Sequence, residues 1–299
     1  MQLDLFLDNH HTILVNAANK HLRNLELEQA STLYQEIRAL TPDDPPLLSA
    51  KIAIENWQRR LELFRTAPSG VDRIYRLYEL LSEPAPALLL AGLRSFIIAQ
   101  LQMEESPELI FIPPGFHLGC LLLEIGRSAE AETWFVFALN SGIRGRGRFL
   151  AYLGDALVMN GKPGDARKCY LAAFLEDPLG VDFSGLRDHA IRELPIEMEE
   201  EGIPVEETVF WLPVWGWLKG IFGLETTVWD RKQLFNSELL KVESTSGEKP
   251  LPRLWFEYLR SAERLRTEFR DDGELLRLRR KMKDLSPLLF TRYMEKIRG

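Results

Sequence analysis

The residue types that could do chemistry are present, but their spacing is wrong for it. Five histidines are scattered apart from His10-His11, and there is no HExxH, no CxxC and no EF-hand spacing, so no metal ligand set is expected. His10-His11 reads as a helix-end feature. General acid–base work needs two carboxylates facing each other across a substrate, whereas Glu104-Glu105 and the acids at 199–201 are neighbours along one chain segment. Neither a GxSxG elbow nor a GxGxxG turn after a strand occurs. Gly154 and Gly161-Lys162 superficially resemble a phosphate loop, but six residues separate the glycines, Pro163 follows and no strand precedes. The turn Gly142-Ile143-Arg144-Gly145-Arg146-Gly147 lies between helical patterns and reads as a basic turn. The expectation is no catalytic residue, no cofactor and no metal.

Two clusters carry binding chemistry instead. Arg277, Arg279, Arg280, Lys281 and Lys283 form a basic run able to neutralise phosphates with release of counterions. A solvated helix face, or pairing with the acidic stretch at 197–207, accounts for the same run more simply. Residues 205–224 hold Trp211, Trp215 and Trp217, three of the seven tryptophans, interrupted by Pro213, Gly216 and Gly220. Three readings of that segment stand: a buried connector capping a helical array, an exposed aromatic patch for a partner, and an interfacial membrane segment. The last is disfavoured, because Lys219 is its one cation and flanking acids would be repelled by anionic lipid. The buried connector is preferred, and both clusters are kept as a possible second surface.

Helices must position these side chains. Apolar residues recur at intervals of three and four over long stretches, while alternating β-branched runs hardly occur, so the fold class is all-α. The periodicity predicts helices over 9–25, 28–39, 47–65, 72–81 and 86–103, the second ending before Thr41-Pro42 and the last starting with Pro86 in its first turn. From Pro114 it sharpens into two helix pairs, with turns at Gly126-Arg127, at 142–147 and at 161–164. After a linker-like stretch at 243–252 two helices follow. One carries Trp255, Leu259, Ala262, Leu265 and Phe269 on a face and closes at Asp271-Asp272-Gly273. The other carries Leu275, Leu278, Met282 and Leu285 until Ser286-Pro287.

The chain has 299 residues, 45% apolar content and a formal charge of −7, enough apolar matter for a sizeable core and a charge that repels non-specific polyanions. The sign is uneven: residues 251–299 hold 13 Lys and Arg against 8 Asp and Glu, leaving the rest at −12. Cys120 and Cys169 lie far apart inside apolar helical patterns, which rules out a disulfide framework. The start MQLDLFLDNHH is too acidic for a signal peptide, and no apolar run reaches the roughly 18 residues of a membrane span. The cytoplasm is the expected compartment.

Three segments repeat. In the last, Leu150, Leu153-Gly154, Leu157, Gly161, Ala166, Tyr170, Ala173 and Pro178 fall on alternating small and large positions. The preceding one has Leu118-Gly119, Leu122, Gly126, Ala131, Phe135 and Ala138-Leu139, and near the N-terminus stand Leu14, Ala17-Ala18, Ala30, Tyr34, Ile37 and Pro42, with His21 at a usual aromatic site. Small residues let paired helices approach, and an aromatic ring fills the gap. The pattern resembles the tetratricopeptide repeat over about 11–44 and 112–180. That resemblance implies a solenoid of helix pairs over 1–195, degenerate at 45–111, then a Trp-rich connector and linker at 196–250 and a basic helical segment at 251–299. It further implies a protein-binding groove lined by the first helix of each pair. By position the groove takes Asn19 and Arg23, then Phe116, Cys120 and Glu124, then Arg148, Asp155 and Met159, with Phe116, Cys120 and Met159 equally readable as core. The two-lysine, two-asparagine clamp of some relatives is not visible.

The expected function is a scaffold for a protein or peptide partner, not an enzyme. A nucleic-acid-associated regulator using the basic C-terminal run is the alternative, and an enzyme with a site between the repeats and the C-terminal region is a third reading. The sequence names neither the partner nor the oligomeric state.

Overall fold

A computed structural model describes residues 2–40, 45–224, 251–269 and 272–298. The described residues form fourteen α-helices, short 3-10 turns, one π-helical turn (Leu265–Phe269) and a single antiparallel bridge, Ile112 to Phe116, so the chain is all-α. Two compact units, Met1–Gly126 and Arg127–Gly299, divide inside the second predicted repeat. Thr41-Pro42, Asp271 and almost all of the 243–252 linker lie outside the described residues.

The first unit holds α1 (Gln2–Arg23), α2 (Leu27–Leu40), α3 (Pro45–Arg65), α4 (Val71–Ser82), α5 (Ala87–Leu101) and α6 (Leu118–Glu124). Helices α1 and α2 close on Leu14, Ala18 and Ile37, with Val15, Leu33 and Tyr34 packed around them. The turn between them is unusual. The Leu25 N–H donates to Leu22 O (3.0 Å) and the Glu26 N–H to His21 O (2.9 Å), the bonds of a Schellman ending, yet the left-handed position (φ 62) is filled by leucine where glycine is common. Helix α5 meets this turn at Gly92, where a Cβ would lie 2.4 Å from the Arg23 carbonyl oxygen. An edge-to-face contact between Phe64 and Phe96 ties α3 to α5. His117 caps α6 from a buried position: Nδ1 accepts from the Gly119 N–H (3.0 Å), which leaves Nε2 to donate to Glu108 O (3.1 Å). Burial lowers its pKa to about 4, although the Glu108 carbonyl pulls the other way.

The second unit holds α7 (Ser128–Asn140), α8 (Arg146–Met159), α9 (Pro163–Glu176), α10 (His189–Glu200), α11 (Val205–Leu218), α12 (Leu251–Arg264), α13 (Asp272–Leu285) and α14 (Pro287–Arg298). Phe135 of α7 packs its ring on Phe149 and Tyr152 of α8. Glu132, buried on α7, is met by Lys162 (2.8 Å) and by the Asn160 amide (2.6 Å) at the α8–α9 turn, so its charge is compensated. Helices α8 and α9 approach through Gly154, where a Cβ would lie 2.6 Å from Tyr170 Cε1, the packing that the small-and-large spacing predicts.

Two expectations change here. Ser286-Pro287, read as a stop, also starts α14: the Leu289 N–H reaches the Ser286 hydroxyl (3.4 Å) and proline occupies the first helical position, where no N–H is needed. The tryptophan segment is one helix despite Pro213. Its exit is set by Gly220 (φ 76), with the Ile221 N–H bonded to Gly216 O (2.8 Å), while the side-chain-free Gly216 lets the Phe222 ring fold back onto the helix.

Candidate functional site

Each expected groove residue has a definite place. In the first unit Asn19 is half-buried and accepts from the Tyr34 hydroxyl (3.2 Å). Arg23 is exposed at the end of α1. Phe116 is buried edge-to-face against Tyr78, and Cys120 is buried, so both belong to the core. Glu124 is exposed and pairs with Arg94 of α5 (2.9 Å).

In the second unit the expected groove face of α8 is covered by the chain itself. Arg148 Nε donates to Gly180 O (2.8 Å), and Asp155 Oδ1 accepts from both the Tyr170 hydroxyl (2.6 Å) and the Arg187 N–H (2.8 Å). Those bonds strap the 177–188 connection onto α8. Asp155 is 7% exposed and faces no open groove, which corrects the expectation that it is presented to a partner. Burial pushes its carboxyl up to about 6 against the pull of the two donors, and burial likewise raises the Tyr170 hydroxyl. Met159, at the far end of α8, stays exposed at its surface.

The possible second surface also divides. Trp211, Trp215 and Trp217 are 6%, 2% and 9% exposed, so they form core and not a patch. Trp217 lies against Tyr293 of α14, and the Trp211 indole N–H donates to Glu207 (3.0 Å). The basic run does stand on the surface, with Arg277, Arg280, Lys281 and Lys283 exposed on α13. Arg277 pairs with Glu274 of its own helix (3.2 Å), Arg279 stacks over Tyr293 and Lys281 over Tyr258. The acidic stretch finds other partners: Lys219 meets Glu197 (2.6 Å), and Arg292 of α14 meets Glu201.

What sequence reasoning missed is the setting of Arg23. It lines a cleft of about 510 Å³ with Leu25, Leu61 and Arg65 on one side and Ser95 and Phe96 of α5 on the other. A second cleft of about 620 Å³ shares Leu25, Leu61 and Arg65 with the first and is further lined by Glu26, Glu28, Gln58, Arg59 and Glu62. Both belong to the first unit. The sequence held one signal: Gly92 inside an apolar helix marks a close backbone approach. Nothing in the irregular 45–111 stretch pairs Arg65 with Arg23. Mixed charges over an apolar floor suit non-covalent recognition. Among the described residues no group of three or more His, Cys, Asp or Glu could hold a metal ion, and no helix is long and apolar enough to cross a membrane. Comparison with family models, curated proteins and solved structures gives no match.

Proposed function

We propose that the chain is a cytoplasmic interaction scaffold of tetratricopeptide-like helix pairs, a binding protein and not a catalyst, which takes a peptide segment of a protein partner in the cleft at the end of α1. The observation that carries this reading is the placement of Arg23, a groove position by the repeat pattern, at the mouth of an open cleft with an apolar floor. A recurrence supports the repeat. Tyr34 bonds Asn19 as Tyr170 bonds Asp155, each across 15 residues, and the two bonds stand 136 residues apart, four periods of about 34. The test is cross-linking of the full chain to partners recovered from its native cell. Cross-links on residues 23–28, 58–65 and 91–96, abolished by Ser95→Trp, are expected; partners cross-linked elsewhere and indifferent to that variant would refute the cleft.

A second reading has its own observation, the four exposed cations of α13. A nucleic-acid-associated role would give a gel shift of the full chain that weakens with salt and is lost when Arg277, Arg280 and Lys283 become glutamate. No shift at low salt would end it.

A further inference from the structure

Resting on the scaffold reading, we propose that the cleft at the end of α1 chooses its peptide by an acidic side chain, held between the guanidinium groups of Arg23 and Arg65 and flanked by an apolar residue on the floor. Arg23 and Arg65 are both exposed at this cleft, and among the described residues that line it none is acidic. Glu62 reaches Arg65 by one bond of 3.3 Å at an exposed site, a contact that water and salt screen, so most of that guanidinium's donors still point elsewhere. The Asn24 amide and Ser95 hydroxyl add neutral polar groups, and Phe96 and Leu61 supply the apolar floor. An arginine fork matches the two oxygens of a carboxylate, and two such residues lining one cleft favour an acidic side chain there.

The Arg23 main chain is held on α5 by the absent side chain of Gly92, and the two Schellman bonds fix the residues that follow. Leu25 lines both clefts in a left-handed conformation (φ 62) that glycine would adopt without strain. Strain of this kind gathers at ligand clamps. Here it holds the Leu25 side chain in the lining that the two clefts share. A preorganised cation on a fixed backbone loses less freedom when it binds.

The test pans a phage-displayed library of random dodecapeptides on the full chain, then titrates fluorescent copies of the recovered peptides by anisotropy. Expected are peptides with Asp or Glu beside an apolar residue, whose binding is lost in Ser95→Trp and falls about tenfold in Arg23→Ala and again in Arg65→Ala, with part retained in the Lys variants. Unchanged helical circular dichroism and melting certify each variant as folded. Peptides that are lost in Ser95→Trp but are neutral or basic, and indifferent to both Arg→Ala changes, would overturn the acidic selection and leave the cleft reading standing. If no recovered peptide responds to Ser95→Trp, both are overturned.

Discussion

Helix pairs α1–α2 and α8–α9 are built around the same bond and use it differently. In the first pair a half-buried Tyr34 donates to a neutral amide, Asn19, and the helix end beyond opens into a cleft. In the other, a fully buried Tyr170 donates to a carboxylate, Asp155, whose oxygen also holds the Arg187 N–H and so fastens the chain's own 177–188 connection over the face. The methyl of Ala18 in α1 corresponds to the bare Cα of Gly154 in α8, so the tyrosine ring lies directly on the α8 backbone. The α8–α9 pair spends its polar groups on internal closure, and the end of α1 does not.

The largest test of that contrast is truncation of the two tyrosines. Tyr170→Ala should cost about 3–5 kcal/mol, since it empties a packed site and leaves Asp155 without its strongest donor, while Tyr34→Ala should cost roughly 1–2 kcal/mol. Urea unfolding followed by circular dichroism measures both, and equal costs would erase the distinction.

Next comes pH. Asp155 has a folded pKa of about 6, above its ordinary 3.8, so the folded state holds the proton more tightly than the unfolded chain. Its stabilising contribution is therefore complete below pH 4 and is lost as pH rises towards 6, a change of about 3 kcal/mol. Asp155→Asn keeps an Oδ1 acceptor for both donors and should remove this slope from urea midpoints taken at pH 4, 5, 6 and 7. His117 in the first unit has the opposite sign. Its pKa of about 4 lies below the ordinary 6.5, so its contribution is complete above pH 6.5 and is lost as pH falls towards 4. Parallel pH profiles for the parent and Asp155→Asn would contradict the buried carboxylate.

Smaller effects follow. Gly154→Ala places a methyl against the Tyr170 ring and should cost about 1–3 kcal/mol by thermal or urea melting. Tyr34→Phe, which loses only a long bond at a half-buried site, should cost about 0.5 kcal/mol or less.

The all-α fold was legible because apolar periodicity reports which face a helix buries, and the Gly154–Tyr170 pairing because only a residue without a side chain fits under a ring. Local signals were ambiguous where one motif has two meanings. Ser286-Pro287 ends one helix and caps the next, and the tryptophans at 211, 215 and 217, read in preference as a buried connector but also as a patch, find their partners only when α14 brings Tyr293 and Lys296 to Trp217. The candidate site was least legible. Arg23 was reachable from the repeat pattern, but its cleft depends on Arg65, Ser95 and Phe96, which come from helices whose sequences follow no repeat. The closure of α8 by the 177–188 connection rests on backbone groups at Gly180 and Arg187, and main-chain donors and acceptors leave no mark in residue type.

The most direct measurement is hydrogen–deuterium exchange of the full chain with and without a bound peptide or partner. Slowed exchange confined to residues 23–28, 58–65 and 91–96, with α8 and the 177–188 connection unchanged, is the result predicted for an open first pair and a self-closed α8–α9 pair. Protection on α8 together with loosening of the 177–188 connection would contradict it, because the strapped face would then be the one that binds.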